Sequence, residues 1–159
     1  MILVVLADTH IPRRAKRLPG GLVWHLEEAD FVIHAGDLMD ASLIDELEEY
    51  GGMVLAVRGN LDPPDFRLPE VREIEINGVK IAVIHDAGER EGRARRMRRQ
   101  FPEARVVVFG HSHVPHLEDD GEQMLLNPGS PTDKRRQPDY TFAVMQIENG
   151  AVSAEILNP

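Results

Sequence analysis

Residues 1–10, MILVVLADTH, set an unbroken apolar run directly before an aspartate and a histidine that stand one residue apart. Residues 2–7 are too few for a signal h-region or a membrane span, and their length suits a strand buried on both faces. The same arrangement recurs along the chain. Residues 31–35 precede Gly36-Asp37, residues 53–57 precede Gly59-Asn60 and Asp62, residues 79–84 precede His85, and residues 106–109 precede Gly110-His111 and His113. Helical patterns over 21–28, 41–50 and 89–100 lie between these runs, and alternation of strand and helix implies parallel pairing.

Two other stretches read as hairpins. Residues 72–76 and 79–84 flank Asn77-Gly78, and residues 141–147 and 151–156 flank Glu148-Asn149-Gly150. Asn-Gly tolerates the positive φ that tight hairpin turns require. Parallel crossovers mixed with hairpins predict an α/β fold of four layers, with two mixed sheets packed face to face and helices outside.

With 159 residues and 42% apolar content, the chain fills one core, so a single domain over 1–159 without a cap domain is expected. Lys and Arg number 18 against 27 Asp and Glu, which gives 18 − 27 = −9. That charge repels a polyanion over most of the surface and argues against extended nucleic acid as a partner. The absence of cysteine excludes disulfides and thiolate ligands, so any metal site must use imidazole, carboxylate and amide groups. A cytoplasmic protein with no membrane partner is the expectation, and a homo-oligomer stays open.

Ligand-type side chains thus stand where five apolar runs stop. Ligands of α/β sheets bind outside the carboxyl ends of the strands, so groups spread over about a hundred residues can converge there. Taken singly, Asp8-Thr9-His10, Gly36-Asp37 and Gly59-Asn60 also read as ordinary turns or caps. His111 and His113 are more telling, because imidazoles one residue apart in an extended loop can face the same side.

The ordered set Asp8-x-His10, Gly36-Asp37, Gly59-Asn60-x-Asp62, His85, Gly110-His111-x-His113 resembles the calcineurin-like metallophosphoesterase superfamily. The short length and the Asn127-Pro128-Gly129-Ser130 segment are similar to its small bacterial and archaeal phosphodiesterases. The resemblance implies two divalent transition-metal ions, manganese first, with iron, nickel, cobalt or zinc as alternatives. Asp8, His10 and His113 would hold one ion, Asn60, His85 and His111 the other, and Asp37 would bridge them. It implies a small phosphate-ester substrate, in-line attack by a metal-bridging hydroxide, and catalytic roles for Asp37, Asn60 and His111.

Two positions depart from that pattern. Leu61 stands where many relatives carry a histidine that helps the leaving group, although the small phosphodiesterase branch also lacks it. Asp86 stands where glycine is common; it can face substrate, hydrogen-bond a histidine, or simply be solvated. Asp62 and His116 are further candidates for supporting the site or meeting substrate. His34 reads as a hydrogen-bonded core histidine and His25 as a surface residue. Lys134, Arg135 and Arg136 read as a solvated basic turn that can also grip a phosphate, and the Arg-rich helix reads as a solvent face. Two other functions compete: a scaffold module, since a vesicle-sorting subunit has a similar fold, and a metal-dependent nuclease, which would want a cap or a basic groove.

Overall fold

The computed structural model describes residues 1–159, which form ten strands and three helices. In chain order these are β1 (Ile2–Leu6), α1 (Gly20–Glu27), β2 (Phe31–His34), α2 (Ser42–Glu49), β3 (Met53–Ala56), β4 (Val71–Ile76) and β5 (Val79–Ile84). There follow α3 (Arg93–Gln100), β6 (Val106–Val108), β7 (His116–Asp119), β8 (Met124–Asn127), β9 (Phe142–Glu148) and β10 (Ala151–Leu157). Two five-stranded sheets result, in the orders β10-β9-β1-β2-β3 and β4-β5-β6-β8-β7.

Alternation along β1 explains the layers. Leu3 and Val5 face the second sheet, in a core shared with Ile81, Val83, Val106, Val108 and Leu126. Val4 and Leu6 face outward beneath Leu22 and Leu26 of α1 and Leu43 and Leu47 of α2. On the far side, Ala82, Val107 and Leu125 pack under Met97 and Phe101. The layers are therefore helix, sheet, sheet, helix, and each buried Leu or Val contributes about 1.5–3 kcal/mol relative to exposure. No helix is long and apolar enough to cross a membrane.

β1, β2 and β3 are parallel, as are β5, β6 and β8. This is what positions the site, because both sheets send their carboxyl-terminal loops to one edge. The expected hairpins form as β4–β5 and β9–β10. Two features differ from expectation. α3 begins at Arg93 rather than at residue 89, because Gly92 adopts φ +68 and the Arg93 and Arg96 guanidinium groups donate to carbonyls of Ala87, Gly88 and Glu91. The β7–β8 hairpin had no forecast; β8 completes the second sheet by pairing in parallel with β6 and antiparallel with β7.

Candidate metal centre

The loops at this edge are stitched to one another across the sheets. Asp8 N donates to Gly36 O at 3.0 Å, His10 N to Asp37 O at 3.1 Å, and Gly110 N to His85 O at 2.9 Å. The Gly-Asp and Gly-Asn pairs are close approaches rather than generic turns. A Cβ on Gly59 would sit 2.1 Å from Asp37 Oδ1, and one on Gly36, at φ +93, would sit 2.7 Å from His85 Nδ1. Five ligand-type residues themselves occupy the left-handed region: Asp8 (φ 54), His10 (48), Asp37 (61), His111 (67) and His113 (59). Such backbones persist only when their surroundings impose them, and they concentrate at functional sites.

Hydrogen bonds fix which nitrogen of each imidazole is free. His10 Nδ1 donates to Asp133 Oδ2 at 2.8 Å, His85 Nδ1 to Ala35 O at 2.7 Å, and His113 Nδ1 to the Asp133 carbonyl. Each Nε2 then turns inward toward oxygen. His10 Nε2 lies 3.2 Å and His85 Nε2 3.5 Å from Asp37 Oδ2, and His113 Nε2 lies 3.5 Å from Asp8 Oδ1. Asn60 Oδ1 is 2.9 Å from both His85 Nε2 and His111 Nδ1. A neutral imidazole with Nδ1–H engaged offers a lone pair at Nε2, so lone pairs face carboxylates here. Only a proton or a cation between them makes that arrangement favourable.

The electrostatics carry the same imprint. Burial pushes the Asp8 carboxyl up to about 7 and the His113 imidazole down to about 4. Burial opposes ionisation of Asp37 as well, but hydrogen bonds from His10 and His85 overcome it and hold that carboxyl well below the usual carboxylate range. Burial likewise works against protonation of His10 and His85, yet their contacts with Asp37 raise both above the ordinary histidine value.

Both oxygens of Asp8 and Nε2 of His113 are buried without any hydrogen-bond partner. Unsatisfied polar atoms of this kind cost on the order of 1–3 kcal/mol each, and a cation would satisfy all three together. Asp8, His10 and His113 form one group, and Asp8, Asp37 and His85 a second, with ligand atoms within 4.8 Å of one another in each. The donors therefore fit divalent metal. His111 stands at the open side, 46% exposed, with Nε2 4.0 Å from Asp86 Oδ2.

The remaining candidates are placed differently. Asp62 is buried and accepts from the backbone N–H groups of Asp37 (2.9 Å), Met39 (2.7 Å) and Gly59 (2.7 Å), so it ties the loops after β2 and β3. His116 lies on β7, 3.2 Å from Glu118 and near the Phe109 ring, outside the two groups. His34 is fully buried; Gly36 N donates to its Nδ1, its Nε2 lies 3.0 Å from Thr9 Oγ1, and burial pushes its pKa down to about 3. His25 is half-buried, between Trp24 and Phe142, rather than on the surface.

Sequence reasoning missed Asp133. Its carboxylate holds His10 and its carbonyl holds His113, so one residue orients two imidazoles. Ser130 Oγ donates to Asp8 O at 2.8 Å and Asn127 Nδ2 to Gly110 O at 2.9 Å, so the segment after β8 braces the loops after β1 and β6. Its signal was the proximity of Asp133 to the Asn127–Ser130 turn.

Carboxylates and imidazoles that converge from both sheets with their electron pairs opposed define a candidate divalent-metal site. The chain belongs to the calcineurin-like phosphoesterase superfamily, whose domain matches residues 1–150. It is 38% identical over 135 residues to a probable metallophosphoesterase of Methanocaldococcus jannaschii, covering 83% of this chain and 69% of that one. Among solved structures, wild-type Vps29 of Entamoeba histolytica complexed with zinc shares the fold, with a TM-score of 0.78, 24% identity and 99% of each chain covered. An archaeal phosphodiesterase shares it with a TM-score of 0.74 and 21% identity, over 99% of this chain and 100% of that one.

Proposed function

We propose that the chain is a dinuclear-metal phosphoester hydrolase that prefers small phosphodiesters. One observation carries the reading: Asp37 Oδ2 lies 3.2 Å from His10 Nε2 and 3.5 Å from His85 Nε2, so one carboxylate faces an imidazole from each ligand set. Asp37 thus suits a bridging role, with Asp8, His10 and His113 on one side and Asn60, His85 and His111 on the other. When bound, two divalent cations supply Lewis acidity that offsets the ester's charge and acidifies water towards neutral pH. Nitrogen and oxygen donors without thiolate fit manganese, our first choice, and also iron, cobalt, nickel or zinc.

The chain's own residues give direction to that chemistry. Asp133 and the Ala35 carbonyl fix the three inward imidazoles, so the donors need little reorganisation. His111 and Asn60 reach the exposed mouth, where they can hydrogen-bond phosphate oxygens. Leu61 is 41% exposed beside them and carries no proton, so the leaving oxygen must depart as a weak base or take its proton from solvent. Asp86, 58% exposed, adds a negative charge near His111. That charge disfavours a dianionic monoester more than a monoanionic diester, and the fold shared with a phosphodiesterase agrees. A cytoplasmic setting fits a chain without cysteine, and extended nucleic acid does not fit its charge.

The test is to purify the full chain without chelators, count its metals, and compare an activated aryl phosphodiester with its monoester in added manganese. We expect two ions per chain, faster diester cleavage, and loss of both on Asp37→Asn. A chain that binds two ions yet turns over neither ester would overturn the proposal. A second reading, a protein-interaction module, is favoured by Trp24, which is 62% exposed at a groove shared with Ile2, Val144, Ala154 and Leu157. It predicts an inert chain, and turnover of either ester removes it as the sole function.

A further inference from the structure

The cations of this acidic chain are unevenly spread. Arg13, Arg14, Lys16 and Arg17 give four, and Lys134, Arg135 and Arg136 give three, so seven of eighteen Lys and Arg lie in two short segments near opposite ends of the sequence. The fold brings these segments together: Thr132 Oγ1 donates to Thr9 O at 2.5 Å, and Arg14 Nε lies 3.4 Å from Asp133 Oδ2. Between them runs a groove of about 710 Å³, lined by Arg14, Arg17 and Lys134 with Tyr140 on its wall.

Of the seven cations only Arg14 reaches a carboxylate, and of the eleven elsewhere Arg58, Lys80, Arg98 and Arg105 do. Lys134 Nζ donates to Pro138 O and lies 5.3 Å from the Tyr140 ring centroid, which holds the ammonium against the groove wall. Asp139 is the only aspartate or glutamate side chain that lines the groove. Gathering like charges in a concave surface is unfavourable without a counter-charge, and guanidinium forks match phosphate oxygens.

We propose that this groove is an anion site for a small ligand carrying two or more linked phosphates. Arg17 and Lys134 line the groove without a carboxylate partner and Arg14 shares Asp133 with His10, so more than one cationic head is available to linked phosphates. The groove adjoins the metal centre through Asp133, which contacts both Arg14 and His10, but none of the residues that line it is a candidate metal ligand. It does not depend on the hydrolase reading.

The test is calorimetric titration of the full chain with inorganic tripolyphosphate at low salt, once after removal of metals on a chelating resin and once with manganese bound. Binding is expected in the metal-stripped chain, weakened about tenfold by Arg17→Gln and again by Lys134→Gln, with a shallower dependence on salt in each. Both residues are outside the core, so the variants keep the fold. Amide shifts should map to residues 13–20 and 131–140. An Arg95→Gln/Arg99→Gln variant on α3 serves as the charge control and should bind as the parent does. Binding that is absent without metal, or that falls as much in the α3 control as in the groove variants, would overturn the proposal.

Discussion

The Asp133 carboxylate accepts a hydrogen bond from His10 Nδ1 at 2.8 Å across 123 residues of sequence, and so determines which nitrogen of His10 faces Asp37. Removing the carboxylate frees the ring to rotate and to exchange tautomers. Asp133→Ala keeps the backbone carbonyl that holds His113, so among the inward imidazoles its effect should fall on His10, while Arg14 also loses its carboxylate partner. We expect manganese affinity to drop about 10–100-fold, with Asp133→Asn intermediate because an amide oxygen still accepts. Calorimetry gives the affinities, and nitrogen-15 spectra of the His10 ring give the tautomer; an unchanged tautomer in the alanine variant would contradict the assignment.

Asp8 links stability to pH. Its folded pKa is raised from 3.8 to about 7. The stability it confers is therefore present below about pH 4 and lost as pH rises through 7. In the metal-free chain, Asp8→Asn should raise stability at pH 8, on the order of 2–4 kcal/mol, and leave it nearly unchanged at pH 4. With metal the order should reverse, since the amide is the poorer ligand. Denaturant melts at the two pH values decide this.

Metal affinity should climb with pH for the same reason. A cation must displace protons from Asp8, His10 and His85, all of which hold them above their ordinary values. Each displaced proton adds up to a factor of about ten per pH unit, so affinity is expected to rise by more than about tenfold per unit between pH 5 and 7 and then to level off. A flat titration series over that range would show that these groups do not bind the ion.

Leu61→His places a titratable group beside Asn60 at the mouth of the site. Esters with poor leaving groups should gain on the order of 10²-fold, while activated aryl esters change little. Leu61 N donates to Asp37 Oδ1 at 2.8 Å through the backbone, which the substitution leaves intact. The slope of log rate against leaving-group pKa is the measurement, and an unaltered slope would reject a role for this position.

Much of this architecture was legible because its signals are local. Strands buried on both faces read as apolar runs, and Asn77-Gly78 marked its hairpin. The β7–β8 hairpin escaped because residues 116–119, His-Leu-Glu-Asp, are largely exposed and carry no apolar run. Ligand-type residues were visible at the ends of those runs, whereas Asp133 was not, because its role depends on a contact with a residue more than a hundred positions away. His116 has the right chemistry for a ligand, but its strand places it against Phe109.

The left-handed backbones of Asp8, His10, Asp37, His111 and His113 bear on how such a chain changes over generations. Each non-glycine residue held there costs roughly 1–2 kcal/mol that glycine would not. Glycine at any of them would relieve the main chain while deleting a donor. Backbone relief and donor loss therefore come together at these five positions, so the fold can survive substitutions that dismantle the metal centre.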